Sequence, residues 1–345
     1  MIKTIKYEQL DKVKVENQYI LVDVRSPKEF SNGTVPGAIN VPLFTNEQRE
    51  LIGTIYVQES VEKAKKIGVD AAAKNLPVIY EKINELNKLR KKIVFFCARG
   101  GMRSSSLVAL LMTLGVNVFK LEGGYKGYRA YINEHLPFTV QGIKFIVIHG
   151  NTGIGKTKIL KRLEEMGHDI LDLEGCANHR GSLLGSVGLG LQNSQKQFES
   201  LIYDKISNRK SHLVFVEGES KRIGKIIIPE YIFNAMNNGI HINLEADIDL
   251  RVENIKEDYV KNNNLELTKA LEELRKYISN KNIDKYIEEI NNNNHSYVIK
   301  ELMIRYYDPM YENNKYDFSL TIEHKEIDET CHAIINYVED IEKQC

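Results

Sequence analysis

Two short segments carry residues whose types and spacing suit chemistry. The first is FFCARGGMRS, residues 95–104. Cys97 follows an apolar run that reads as a strand, and a helical pattern begins a few residues later. A thiol at such a junction meets inward-pointing backbone N–H groups and the positive end of the helix dipole, and both favour thiolate over thiol. Gly100 and Gly101 let the loop curl with its amides inward, while Arg99 and Arg103 add positive charge. Such a cradle suits a persulfide, a perselenide or an oxyanion. The plainer alternative is a buried cysteine at a strand end. Two glycines and two arginines within six residues do not suit a packed strand end.

The second segment is GNTGIGKT, residues 150–157, which fits G-x-x-x-x-G-K-[ST] at every fixed position. It follows the apolar run KFIVI and precedes KILKRLEEMG, the strand and helix context that a phosphate-binding loop requires. Gly150, Gly153 and Gly155 let backbone amides wrap a phosphate, Lys156 pairs with its oxygens, and Thr157 is placed to ligate Mg²⁺. Three neighbouring stretches add candidates. DLEGCANHRGSLLGSVG (172–188) shows no helical or strand period and brings Asp172, Glu174, His179 and Arg180 beside this loop; Cys176 there reads as structural. VFVEGES (214–220) stands where a second phosphate-site strand belongs but ends in Glu217 and Glu219 rather than aspartate. ESKRIGKIIIP (219–229) carries Lys221, Arg222 and Lys225, which suit RNA phosphates or a solvated charged face equally.

The elements that must position these residues form two α/β units. In the first, residues 19–24, 38–41, 92–97 and the run VNVFKLEGG read as strands alternating with helical patterns, which implies a parallel sheet covered on both faces. Residues 104–115 read as a helix stopped by Gly115. The charged, Ala-rich stretch at about 44–90 reads as a helical insertion. Pro137, Gly142 and a loss of period place a boundary near residues 135–142. The expected organisation is a parallel-sheet domain over 1–136, a phosphate-binding α/β domain over 143–246, and a helical C-terminal region over 247–345 with no clear further strand.

Composition sets limits. With 345 residues the chain is long enough for two or three modules. Hydrophobic residues make up 42%, enough for a core without disulfide or metal staples. The net charge is zero, so any nucleic-acid surface must be a local basic patch. The cysteines at 97, 176, 331 and 345 have no metal-knuckle or CxxC spacing. The polar start and strand-sized apolar runs predict a cytoplasmic protein with no signal peptide and no membrane span, where a reducing milieu keeps Cys97 a thiol.

LVDVRSPKEFSNGTVPGAINVPL (21–43), the Cys97 loop and LEGGYKGY (121–128) together resemble the rhodanese superfamily, in order. The resemblance implies that Asp23 and Arg25 support the loop and that Cys97 is a nucleophile carrying a chalcogen atom. Five residues separate Cys97 from Arg103, one more than simple sulfurtransferases commonly have. That spacing is similar to cysteine phosphatases, so a phosphatase is one alternative, and a pocket for a phosphate-bearing chalcogen donor is another. Rhodanese followed by this phosphate loop resembles the tRNA 2-selenouridine synthases, through NEQRELIGTIYVQESVEKAKKIG, CARGGMRS, GNTGIGKT, DLEGCANHRGSLLG, VEGESKRIG and, more weakly, YYDPMY (306–311). The resemblance implies a transferase acting on wobble 2-thiouridine in the tRNA anticodon region. Sulfur is geranylated from geranyl diphosphate, and the S-geranyl group is then replaced by selenium from selenophosphate, which a selenophosphate-supplying enzyme would provide. Two other readings compete: an NTP-dependent rhodanese-type sulfurtransferase, and a binding module with a degenerate rhodanese domain.

Overall fold

Short runs of branched and aromatic residues bounded by turn residues become strands here, and the largely apolar character of the central ones reflects sheets covered on both sides. The computed structural model describes residues 2–12, 18–182, 185, 187–259, 264–311 and 316–344. Cys345, and Leu183, Leu184 and Ser186 of the 172–188 stretch, lie outside the described residues. Contacts divide the chain into one unit of Met1–Leu136 with Glu199–Asp204, and another of Pro137–Phe198 with Lys205–Cys345.

The first unit runs β1 (Thr4–Ile5), α1 (Tyr7–Asp11), β2 (Tyr19–Asp23), α2 (Pro27–Ser31), β3 (Ile39–Asn40), α3 (Asn46–Gln58), α4 (Val61–Asn87), β4 (Lys92–Phe96), α5 (Met102–Thr113), β5 (Val118–Leu121) and α6 (Gly124–Thr139). Its sheet has the order β1-β5-β4-β2-β3, with every pairing parallel. Strand β1 was not singled out from the sequence. Helix α5 begins two residues before the sequence reading and ends at Thr113, just ahead of Gly115 with its φ of +80°. The insertion is helical as read. Thr45 and Ser60 cap α3 and α4 by accepting from the Gln48 and Lys63 amides. Ala71, Ile79 and Ile83 of α4 join the core of β2 and β4. The loss of period read at residues 135–142 coincides with the end of helix α6. Helix α6 continues through Pro137 to Thr139. A proline so close to a helix end removes a single backbone hydrogen bond, which the last turn tolerates.

The second unit runs β6 (Lys144–His149), α7 (Lys156–Glu165), β7 (Ile170–Leu171), α8 (Leu173–Ala177), α9 (Gln195–Ser207), β8 (Leu213–Glu217), β9 (Arg222–Ile223), β10 (Ile226–Ile227), α10 (Glu230–Asn237), β11 (Ile240–Glu245), α11 (Ile248–Tyr259), α12 (Asn264–Glu273), α13 (Asn280–Asn291), α14 (His295–Leu302), α15 (Asp308–Tyr311), β12 (Leu320–Glu323) and α16 (Ile327–Gln344). Its parallel sheet has the order β12-β11-β6-β8-β7. Helices α11–α15 form the expected helical region. Their core includes Leu267, Leu271, Ile283 and Leu302.

Two expectations are corrected. A further strand does exist after residue 247. β12 pairs in parallel with β11, and α16 returns to the sheet core with Cys331, Ile334 and Val338 beside Ile146 and Ile148. This edge strand is four residues long and only half-buried on one face, too short for a clear period. The second correction is within residues 172–188, where α8 is a capped helix: Asp172 Oδ1 accepts from the Gly175 amide at 2.7 Å, and Asn178 ends it at φ +51°. One turn is too short to show a helical period. Among the described residues no helix is long and apolar enough to cross a membrane.

Candidate functional site

In each unit the chemistry-bearing loop leaves the C-terminal end of the middle strand of a parallel sheet. Such ends are where open α/β sheets bind ligands.

In the first unit that strand is β4, and Cys97 is its next residue. The loop is shaped from outside by the segment after β5. Tyr125 and Lys126 donate their amides to the Cys97 and Ala98 carbonyls, both at 2.9 Å. Gly123 and Gly124 have φ +69° and +58°. A Cβ on Gly124 would collide with the Cys97 carbonyl oxygen and the Gly100 nitrogen, so only glycine lets this clamp close. Below the loop, Asp23 and Arg25 form a buried pair: the guanidinium donates to the carboxylate at 2.6 and 3.0 Å. Thr34 donates to the same carboxylate at 2.9 Å, and Arg25 also reaches the Gly33 carbonyl at 2.7 Å. Arg25 stacks 4.0 Å over the Tyr125 ring. The pair therefore ties the end of β2 to the clamp.

The Cys97 thiol is covered, with the residue only 3% exposed. Burial alone would push its pKa up. The Ser104 hydroxyl, 3.3 Å from Sγ, the Ser104 and Arg99 amides and the Arg103 charge outweigh that and hold the thiol below its usual range. Arg103 itself is held by Glu29, at 2.7 and 3.2 Å. Arg49 approaches the same carboxylate at 3.5 Å. Although burial opposes it, Arg103 keeps the Glu29 carboxyl low. Arg99, Gly101 and Met102 are exposed at the loop mouth.

In the second unit the middle strand is β6. Gly150, Gly153 and Gly155 have φ +146°, +83° and +92°, so the loop needs glycine at all three. Lys156 Nζ donates to the Gly150 carbonyl at 2.8 Å. Beside it opens a cavity of ≈ 280 Å³ lined by Lys156, Thr157, Asp172, Glu174, His179 and Arg180, among others. Glu219 lines it as well. Burial and the Glu219 charge push Glu174 up to about 8, against the pull of Lys156. Burial also raises Glu219. Glu217 lies beneath the cavity and is not part of its lining. Its Oε1 accepts from the Glu174 amide at 2.7 Å, its Oε2 has no hydrogen-bond partner, and burial pushes its pKa well up. Arg180 donates to the Val187 carbonyl at 2.7 Å. Arg222 sits apart on the exposed β9–β10 hairpin, where it bonds the Gly224 carbonyl. Lys221 and Lys225 are likewise exposed there.

Magnesium in such loops is held by one hydroxyl, a carboxylate and substrate phosphates rather than by a protein cage. Thr157 Oγ1 lines the cavity and supplies that hydroxyl; it donates to Glu174 Oε2 at 3.3 Å. Among the described residues no cluster of three or more metal-ligating side chains exists. The donor set therefore fits a metal that arrives with phosphate.

Sequence reading missed the residues that brace the phosphate loop from the helical region. Arg251 donates to the Thr152 carbonyl at 3.0 Å and pairs with Asp308 at 2.5 and 3.0 Å; Asn254 donates to the Gly153 carbonyl at 3.0 Å. Asp308 lies in the YYDPMY block, which was the available signal. His149, immediately before the loop, pairs with His241 at 2.8 Å against Tyr316. Burial, with the neighbouring His241 and Lys156 charges, lowers it to about 3.

Residues 143–344 match the family model described as the tRNA 2-selenouridine synthase AAA domain, and residues 6–131 match the rhodanese-like domain. A protein of Nitrosomonas europaea named tRNA 2-selenouridine synthase is 34% identical over 250 residues, 70% of this chain and 63% of that relative. One of the same name from Hydrogenovibrio crunogenus is 30% identical over 325 residues, 85% of this chain and 88% of the relative. A solved N-terminal domain from Clostridium difficile 630 is 44% identical and covers 38% of this chain and 98% of that one, with a TM-score of 0.35.

Proposed function

The chain belongs to the tRNA 2-selenouridine synthase family, and from that premise we propose that it converts wobble 2-thiouridine in tRNA to 2-selenouridine in two steps, one for each loop. The observation that carries this reading is the occurrence in one chain of a thiol held below its usual pKa range and a separate phosphate cradle.

In the first step the thiocarbonyl sulfur of the base attacks C1 of geranyl diphosphate. The C1–O bond breaks, diphosphate leaves, and the base loses its N3 proton. The loop amides and Lys156 stabilise the charge that develops on the departing diphosphate. Magnesium held by Thr157 would add charge neutralisation there. A neutral Glu174 carboxyl beside the phosphates avoids repelling them, and Glu219 is near enough to share that proton.

Alkylation converts a poor leaving group into a thiolate and makes C2 of the base electrophilic. In the second step selenophosphate sits in the Cys97 loop and the Cys97 thiolate takes its phosphoryl group, breaking the P–Se bond and freeing hydrogen selenide anion. The selenium attacks C2, the C2–S bond breaks and geranylthiolate leaves, taking the selenium-borne proton as the thiol. Water then releases phosphate from Cys97. No oxidant or reductant is consumed. The amides that lower the thiol pKa also suit the phosphoryl oxygens. The reading places the protein in the cytoplasm, with tRNA and a selenophosphate-supplying enzyme as partners.

The test is mass spectrometry of tRNA nucleosides after incubation of the purified chain with 2-thiouridine tRNA, geranyl diphosphate and selenophosphate. The expected products are S-geranyl-2-thiouridine, then 2-selenouridine. ATP hydrolysis stimulated by tRNA, with sulfur delivered from Cys97 and no geranylated nucleoside, would replace this reading by the NTP-dependent sulfurtransferase.

A further inference from the structure

The first unit has an apolar groove that the mechanism above does not use. It spans ≈ 970 Å³ between α3, α4 and the start of α5. Phe44, Ile52, Leu76 and Leu107 line its floor, and small residues such as Gly53, Gly68 and Ala72 keep it open. Its rim exposes large apolar side chains: Val57 is 82% exposed, Val69 67% and Met102 61%. Contiguous apolar surface of this kind marks a binding site more often than an idle face.

Two features identify the occupant. The groove adjoins the cysteine loop, because Met102 and Arg103, in its wall, open helix α5 directly after that loop. The charged residues lining it are Arg49, Lys65 and Arg103; Glu29, outside the lining, pairs with both arginines, so the rim keeps a net positive charge. An apolar channel with a cationic rim suits an alkyl chain attached to a polyanion, since RNA phosphates settle on Lys and Arg while the chain leaves water.

We infer that this groove receives the alkyl chain carried by the RNA base that visits Cys97, so that the geranyl group is seated in the same unit that removes it. The inference rests on the two-step reading above and adds to it the site that recognises the intermediate. It assigns to the insertion helices a role in selecting alkylated over unalkylated base.

The experiment uses the full chain and two anticodon-stem RNAs that differ only in an S-geranyl group on the 2-thiouridine. Equilibrium binding is measured without selenophosphate. The wild type is expected to prefer the geranylated RNA by about tenfold or more, the scale of burying several methylenes. Gly68→Leu fills the groove from a helical position where a new Cβ meets only Phe44 and Ile52, at 3.8 and 3.9 Å. Val69→Glu places a charge on an exposed wall position. Both variants are expected to lose the preference and to keep wild-type binding of the unmodified RNA and wild-type unfolding temperature. No preference in the wild type, or an unchanged preference in both variants, overturns the inference. So does a Val69→Glu chain that sediments as a smaller species with the preference intact, which would assign the groove to a second copy. The wild type is also given selenophosphate and the geranylated RNA. Failure to form 2-selenouridine defeats the two-step reading itself, whereas conversion with an unchanged preference defeats only the groove.

Discussion

The two loops share a plan and differ in how their charges are settled. Each follows the middle strand of a parallel sheet and leads into a helix whose first residues carry no side-chain cap. Around Cys97 every charged neighbour with a structural task already has its counter-charge inside the fold, Asp23 with Arg25 and Glu29 with Arg103. The protein concentrates the remaining field on one sulfur. Around Lys156 the settlement is incomplete. Glu174, Glu217 and Glu219 crowd together with raised pKa values, and Lys156 rests on a backbone carbonyl. The first loop is finished before substrate arrives. The second needs a ligand and its proton balance to complete it, so ligand binding and pH act mainly there.

The sharpest way to break this contrast is the same isosteric change in each unit. Asp23→Asn leaves Arg25 buried without its counter-charge and is expected to destabilise the first unit by about 3–5 kcal/mol. Glu217→Gln replaces a carboxyl whose ionisation burial opposes and is expected to change stability by less than about 1 kcal/mol. Urea denaturation of both full-length variants measures this, and equal losses would erase the distinction. Asp308→Ala frees Arg251 from its partner and loosens the carbonyl of Thr152. Displacement of the loop by such a change is expected to weaken geranyl diphosphate binding by about tenfold, read by calorimetry, with the thiol of Cys97 unaffected.

Smaller effects come from protonation. The Glu174 carboxyl is neutral below about pH 8 and charged above it. Diphosphate binding should therefore be fully present near pH 7 and weaken as pH rises through 8, and Glu174→Gln should flatten that decline. A profile that steepens in the variant would show the carboxylate assisting rather than opposing the anion. Ser104→Ala removes the side-chain hydrogen bond to Sγ. It is expected to raise the midpoint of iodoacetamide reactivity by less than about one pH unit, because the amides and Arg103 remain.

Much of this was legible in the sequence because each loop carries local chemistry. Glycines at positive φ, a nucleophile between a strand and a helix, and a lysine before Thr157 are requirements of short segments. The insertion helices were legible from their length. Asp172 shows the limit: it lines the cavity as its residue type suggested, and its Oδ1 also caps α8, a task the sequence did not show. β12 was missed because an edge strand of four residues has almost no period. Arg251 and Asn254 were missed because they lie about a hundred residues from the loop they brace, and a single chain gives no local sign of that contact. Arg222 fitted a charged site by type, but the β9–β10 hairpin holds it away from the cavity.

The division of labour between the loops is tested most directly by offering Lys156→Ala and Cys97→Ala two RNAs, one with 2-thiouridine and one already geranylated, together with geranyl diphosphate and selenophosphate. Lys156→Ala should leave 2-thiouridine unchanged yet convert the geranylated RNA to 2-selenouridine, while Cys97→Ala should accumulate the S-geranyl nucleoside. Folded variants that both fail on both RNAs would contradict the assignment of one step to each loop.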